Sequence, residues 1–120
     1  MKKVLSLFSS VLLSAILFQS CTEEKTTFDK ALLYGKWKSG TLYDIYESNG
    51  KGKTWDEKDD VSEAEAQPFT WTLTADNLLQ IHIMETGGIP IPRPLTVKEL
   101  TSTSLRYTDA GRSYSFTKVN

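Results

Sequence analysis

Phe69-Thr70-Trp71-Thr72-Leu73-Thr74, then Ala75-Asp76-Asn77, then Leu78-Leu79-Gln80-Ile81-His82-Ile83, is the stretch that decides the fold of this chain. In the first run large apolar residues alternate with threonines. Successive side chains of a strand point to opposite faces, so a period of two marks a half-buried strand. Ala75-Asp76-Asn77 turns the chain. In the second run Leu79, Ile81 and Ile83 share one face, and Leu78, Gln80, His82 and Met84 share the other. Together the two runs form a hairpin.

The same pattern extends outward. Upstream, Lys36 to Ser39, Thr41 to Tyr46 and Lys51 to Trp55 read as strands. Downstream, Leu95 to Leu100, Ser104 to Thr108 and Arg112 to Val119 do so. Asn49-Gly50 and Asp109-Ala110-Gly111 are turn chemistry, because Asn, Asp and Gly tolerate positive φ. Ahead of the strands, Thr26 or Thr27 is placed to cap a short helix over Phe28 to Leu33, which Gly35 ends. Eight strands with short connections leave two open edges unless the sheet closes. The expected fold is therefore all-β: a small eight-stranded up-and-down antiparallel barrel with a short N-terminal helix. Such a barrel is wide enough to be filled by side chains or to hold one small ligand.

The N-terminus gives an address. Met1-Lys2-Lys3 is a positive n-region, and Val4 to Phe18 is an apolar run interrupted by serines. It is shorter than the roughly 20 residues of a membrane span and fits a signal-peptide core. Ser20 before Cys21, the chain's single cysteine, resembles the lipobox of bacterial lipoproteins. The expected organisation is a leader over 1–20, a polar tether over 21–27 beginning at a lipidated Cys21, and one barrel domain over 28–120. Acidic Glu23 and Glu24 resemble the surface-export signal of Bacteroidetes lipoproteins, and equally suit a solvated linker. The formal net charge is −1, and cleavage would remove Lys2 and Lys3, leaving the remainder more acidic. That argues against a nucleic-acid partner, which demands clustered basic residues.

Tyr34-Gly35-Lys36-Trp37 behind a helical entry resembles the lipocalin Gly-x-Trp motif at the start of the first barrel strand. The ordered series Phe69-Thr-Trp71, Leu79-Gln-Ile81, Leu95-Thr-Val97, Ser104-Leu105 and Tyr114-Ser-Phe116 is similar to small lipocalin-like (calycin) lipoproteins of Bacteroidetes. The resemblance implies that Trp37, the tryptophan of the motif that Gly35 opens, closes one barrel end. It also implies that an arginine near the last strand, Arg112 or else Arg106, packs on Trp37.

Several stretches are candidate sites. Gly87-Gly88-Ile89-Pro90-Ile91-Pro92-Arg93-Pro94 is stiff, because prolines at alternate positions remove backbone donors. It reads as a rigid hairpin connection, or as a recognition lip presenting Ile89, Ile91 and Arg93 at the barrel mouth. Trp55, Trp71 and Tyr107 are candidate ligand-lining rings among aromatics expected mostly to fill the core. His82, the single histidine, reads as an exposed structural residue. The acidic run Asp56 to Asp60, with Glu63 and Glu65, reads as a solvated loop with a helical turn near Glu63 to Ala66, lacking the residue order of an EF-hand calcium loop. No catalytic motif is present. The expected function is a non-catalytic, cofactor-free binding module. The expected anchor is lipid on Cys21 in the bacterial envelope, at the outer membrane, and the expected ligand is a small apolar molecule, lipid or glycan. The alternative is a solid-barrel interaction protein or inhibitor docking an envelope protein through its loops.

Overall fold

The computed structural model describes residues 26–83 and 88–120. The leader, Cys21 and its tether as far as Lys25 lie outside the described residues, as do positions 84–87, Met84 among them. Eight strands follow a single 3-10 turn at Lys30–Leu33. They are β1 (Gly35–Ser39), β2 (Leu42–Tyr46), β3 (Lys51–Asp56), β4 (Gln67–Thr74), β5 (Asn77–Ile83), β6 (Pro90–Leu100), β7 (Ser104–Asp109) and β8 (Arg112–Val119). Each pairs antiparallel with its sequence neighbour, and β1 pairs with β8, so the sheet closes as an up-and-down barrel. This is the architecture the strand pattern predicts.

The deciding hairpin pairs Thr74 with Asn77 and Phe69 with His82. Phe69 and Trp71 on β4 are buried, and so are Leu78 and Gln80 on β5. The inward face of β5 is therefore Leu78, Gln80 and His82. Leu79, Ile81 and Ile83 lie on the outer wall, with Ile83 46% exposed. His82 is half-buried on the inner face rather than an exposed surface histidine.

Three further expectations are corrected. The entry helix is one 3-10 turn capped by Asp29, whose carboxylate accepts from the Ala31 N–H, not by Thr26 or Thr27. Pro90 to Pro94 is not a connection but the first half of β6, paired with β5 as Ile83↔Pro90, Ile81↔Pro92 and Leu79↔Pro94. Alternate residues of a strand direct their N–H groups to alternate neighbours. Three prolines at alternate positions thus lose donors on one edge only, and β7 pairs with β6 only from Thr96 onward. The third correction is Trp55. It is buried but faces outward, paired with Tyr43 and stacked on it at 4.7 Å and 3°. The acidic segment covers it with two 3-10 turns, Glu57–Asp59 and Glu63–Glu65, and Glu63 is tied to Lys36 at 2.8 Å and Lys53 at 3.5 Å.

Candidate functional site

The two ends of the barrel differ in chemistry. At one end Phe28, Leu32 and Leu33 pack against the core, and the Phe28 N–H donates to the Ala75 carbonyl in the β4–β5 turn. Trp37 is fully buried there, and its indole N–H donates to the Leu33 carbonyl at 2.8 Å. Gly35 sits at φ 125°, a conformation L side chains rarely adopt, and an added Cβ would crowd Lys118. The cation over the Trp37 ring is Lys118, 4.5 Å from its centroid, and its ammonium also donates to the carbonyls of Leu32 and Tyr34. The expected arginine is therefore corrected to a lysine. Lys118 lies in register with Trp37, whereas Arg112 starts β8 opposite Asp109 at the other end and Arg106 pairs with Glu99 on the outer wall.

Inside the barrel the chemistry changes from apolar to polar toward the other end. Leu33, Leu78, Leu95, Val97, Leu100, Leu105 and Phe116 belong to the apolar cluster. Beyond them sits Asp44, 1% exposed, an ionisable residue within a core. Tyr107 and Tyr46 hydroxyls donate to its Oδ2 at 3.0 and 3.3 Å. The Thr54 hydroxyl lies 2.8 Å from Oδ1 and 2.9 Å from the Tyr43 carbonyl. Burial pushes the Asp44 pKa up, and the hydroxyl contacts oppose this only in part. Burial also raises the pKa of both tyrosines, so they stay protonated as donors.

The network continues outward in one direction. Because the Tyr46 proton goes to Asp44, its oxygen accepts from Gln80 Nε2 at 2.6 Å. Gln80 Oε1 then faces His82 Nε2 at 2.8 Å, so that ring nitrogen carries the proton. Nδ1 of His82 is left as an acceptor. Burial and the Arg93 charge lower the His82 pKa, so the ring is neutral at pH 7.

Arg93 closes the throat above Asp44. It lies opposite Gln80 in the ladder, with its guanidinium 5.9 Å from the Tyr107 ring centroid and 5.6 Å from that of Tyr114. Its Nε donates to Asp109 Oδ2 at 2.8 Å. Both partners keep about a quarter of their side chains in solvent. Ile91 is two residues outward on the same inner face, opposite His82, and is 47% exposed. Ile89 follows at 72%.

The structure therefore gathers Arg93, Ile91 and Ile89 at one mouth, with Tyr107 beneath them. Trp71 lies deeper, its indole N–H donating to the Lys51 carbonyl, and Trp55 lies outside the wall. Sequence reading did not single out Asp44, Gln80 or Asp109 as site residues. The one signal for the first two was a polar residue at an inward strand position. Grooves of about 420 and 500 Å³ flank the barrel wall, the first beside Tyr43 and Trp55 and the second beside Pro68 and Ile83. No family model, curated protein or solved structure matches this chain.

Proposed function

We propose that this chain is a lipid-anchored lipoprotein of the bacterial envelope whose barrel is a non-catalytic binding module working from its open end. The observation that carries the reading is the asymmetry of the two ends. One is plugged by Phe28, Leu33, Trp37 and Lys118, while the other presents an ordered polar throat under exposed isoleucines. The described chain enters the barrel at the plugged end, opposite the throat. The leader pattern and the single cysteine at position 21 support the anchor. The buried rings of Trp37, Tyr46, Phe69, Tyr107 and Phe116 fill the interior, which favours binding at the mouth over a deep apolar cavity.

A second reading rests on a different observation. The outer ladder of Leu79, Ile81 and Ile83 against Pro94, Pro92 and Pro90 is an apolar stripe on a closed wall. It suits a protein partner docking on a solid barrel.

Native mass spectrometry of the lipidated protein, beside a chain starting at residue 21 with Cys21→Ser, separates the two. A discrete small mass released on denaturation from both supports the binding module. Clean unliganded mass in both, with co-purifying envelope protein, favours the docking reading.

A further inference from the structure

The mouth has its polar groups inside and its apolar groups outside. Arg93, Asp109, Tyr114 and His82 ring the throat, while Ile91 continues the same face of β6 outward into solvent and the exposed Ile89 precedes the strand at this end. A purely apolar ligand would have to desolvate these polar groups without replacing their hydrogen bonds. A purely polar one would leave the isoleucine lip in water. Building on the binding-module reading above, we infer that the mouth takes an amphiphile head first, with a hydroxyl-bearing, uncharged head in the throat and an alkyl tail along Ile91 and Ile89.

The head chemistry follows from what each rim group has left to offer. Asp109 occupies only Nε of Arg93, leaving the outer nitrogens of the guanidinium as donors. The Asp109 carboxylate retains Oδ1 as an acceptor. The His82 Nδ1 lone pair is a neutral acceptor, because its Nε2 proton is committed to Gln80. The Tyr114 hydroxyl both donates and accepts. Donors thus alternate with acceptors around the rim, which is the pattern that neighbouring hydroxyls on one ring satisfy, each donating once and accepting once. The Arg93 charge is already balanced by the Asp109 carboxylate 2.8 Å away, and His82 is uncharged, so the rim carries no net charge to favour an ionic head over a neutral one. The seal beneath is firm: Tyr107 and Asp44 are 1% exposed. A head can therefore reach Arg93 but not the core, and the tail must lie outward.

Octyl glucoside, titrated below its micelle concentration, is the test. The protein is a chain beginning at residue 21 with Cys21→Ser, which keeps every described residue, labelled at isoleucine methyls and arginine Nε. The expected result is saturable shifts at Ile91, Ile89 and Arg93. Affinity should fall at least about fivefold for Ile91→Ser and for Asp109→Asn, and stay unchanged for the outward Ile83→Ser; glucose alone should bind at least about tenfold more weakly. A roughly tenfold change corresponds to 1.4 kcal/mol. Absence of saturable shifts, shifts confined to Ile83, or octyl sulfate binding where octyl glucoside is silent would each overturn the inference. If native mass spectrometry still finds a different bound molecule, only the head-first amphiphile falls. If it finds none, the binding-module reading falls with it.

Discussion

Asp44 is held by hydroxyls rather than by a cation. Its described hydrogen-bond partners are Thr54, Tyr46 and Tyr107, and Arg93 acts on it only as a charge at longer range. The Thr54 hydroxyl has one proton and two acceptors beside it, so a proton on Asp44 Oδ1 satisfies both contacts. Burial raises the folded pKa above the unfolded value near 3.8. The folded state then binds more protons, so the Asp44 contribution to stability is fully present below pH 3.8 and is lost as pH rises through the folded pKa. Other groups run the opposite way: hydrogen bonds from Thr41, Lys36 and Ser104 lower the pKa values of Asp56, Glu63 and Glu99. They are common to wild type and Asp44→Asn and cancel in the difference. Asn keeps one acceptor, and the hydroxyls can rotate to accept from its amide. Urea midpoints across about pH 3.5 to 8 should show wild type losing ground to Asp44→Asn as pH rises. A flat difference would mean that Asp44 titrates as it does in the unfolded chain.

At the scale of strands and hairpins, much was legible and some was not. The period of two in Phe69 to Thr74 and the turn residues at Asn49-Gly50 and Asp109-Ala110-Gly111 mark local backbone preferences, and they located all eight strands. Side-chain direction on β5 was not legible, because hydrophobicity misleads there. Ile81 and Ile83 are the more apolar set, yet they face the prolines of β6 on the outer wall while Gln80 and His82 face in. Inward polarity is stabilised by hydrogen bonds to Tyr46 on a strand 34 residues away, which no local window contains. The same holds for Lys118 on Trp37, a pairing across the whole chain. Gly52 belongs to this class. Nothing in Lys51-Gly52-Lys53 announces it, yet a Cβ there would collide with the Phe69 ring and the Ile45 carbonyl. Because one obstacle is backbone, relief requires β2 and β3 to separate. Gly52→Ala should therefore destabilise the fold by about 1–3 kcal/mol, read as a lower urea midpoint at unchanged slope. A neutral result would mean that β2 and β3 shift apart freely at this seam.

The whole molecule is a chain of neighbour pairings with one exception. Every hairpin from β1–β2 to β7–β8 joins adjacent strands, and only β1–β8 brings the two ends of the domain together. That closure removes the two edges along which an open sheet would pair with other chains. Its register is short, Lys36↔Val119 to Lys38↔Thr117, so side chains must carry much of its strength. Trp37 is the central contribution: its ring fills the plugged end, its indole N–H satisfies the Leu33 carbonyl, and its face takes the Lys118 ammonium. Trp37→Ala removes all three, leaves a cavity and should cost about 3–5 kcal/mol. Loop-closure entropy makes the most non-local pairing late to form. The loss should then appear mainly as faster unfolding, with the refolding rate within about threefold of wild type, in a denaturant chevron. An equal loss in the folding arm would place β1–β8 closure in the nucleus instead. A near-neutral Trp37→Ala would mean that the plugged end is held by Phe28 and Leu33 alone, and the asymmetry of the two ends on which the binding-module proposal rests would lose its structural basis.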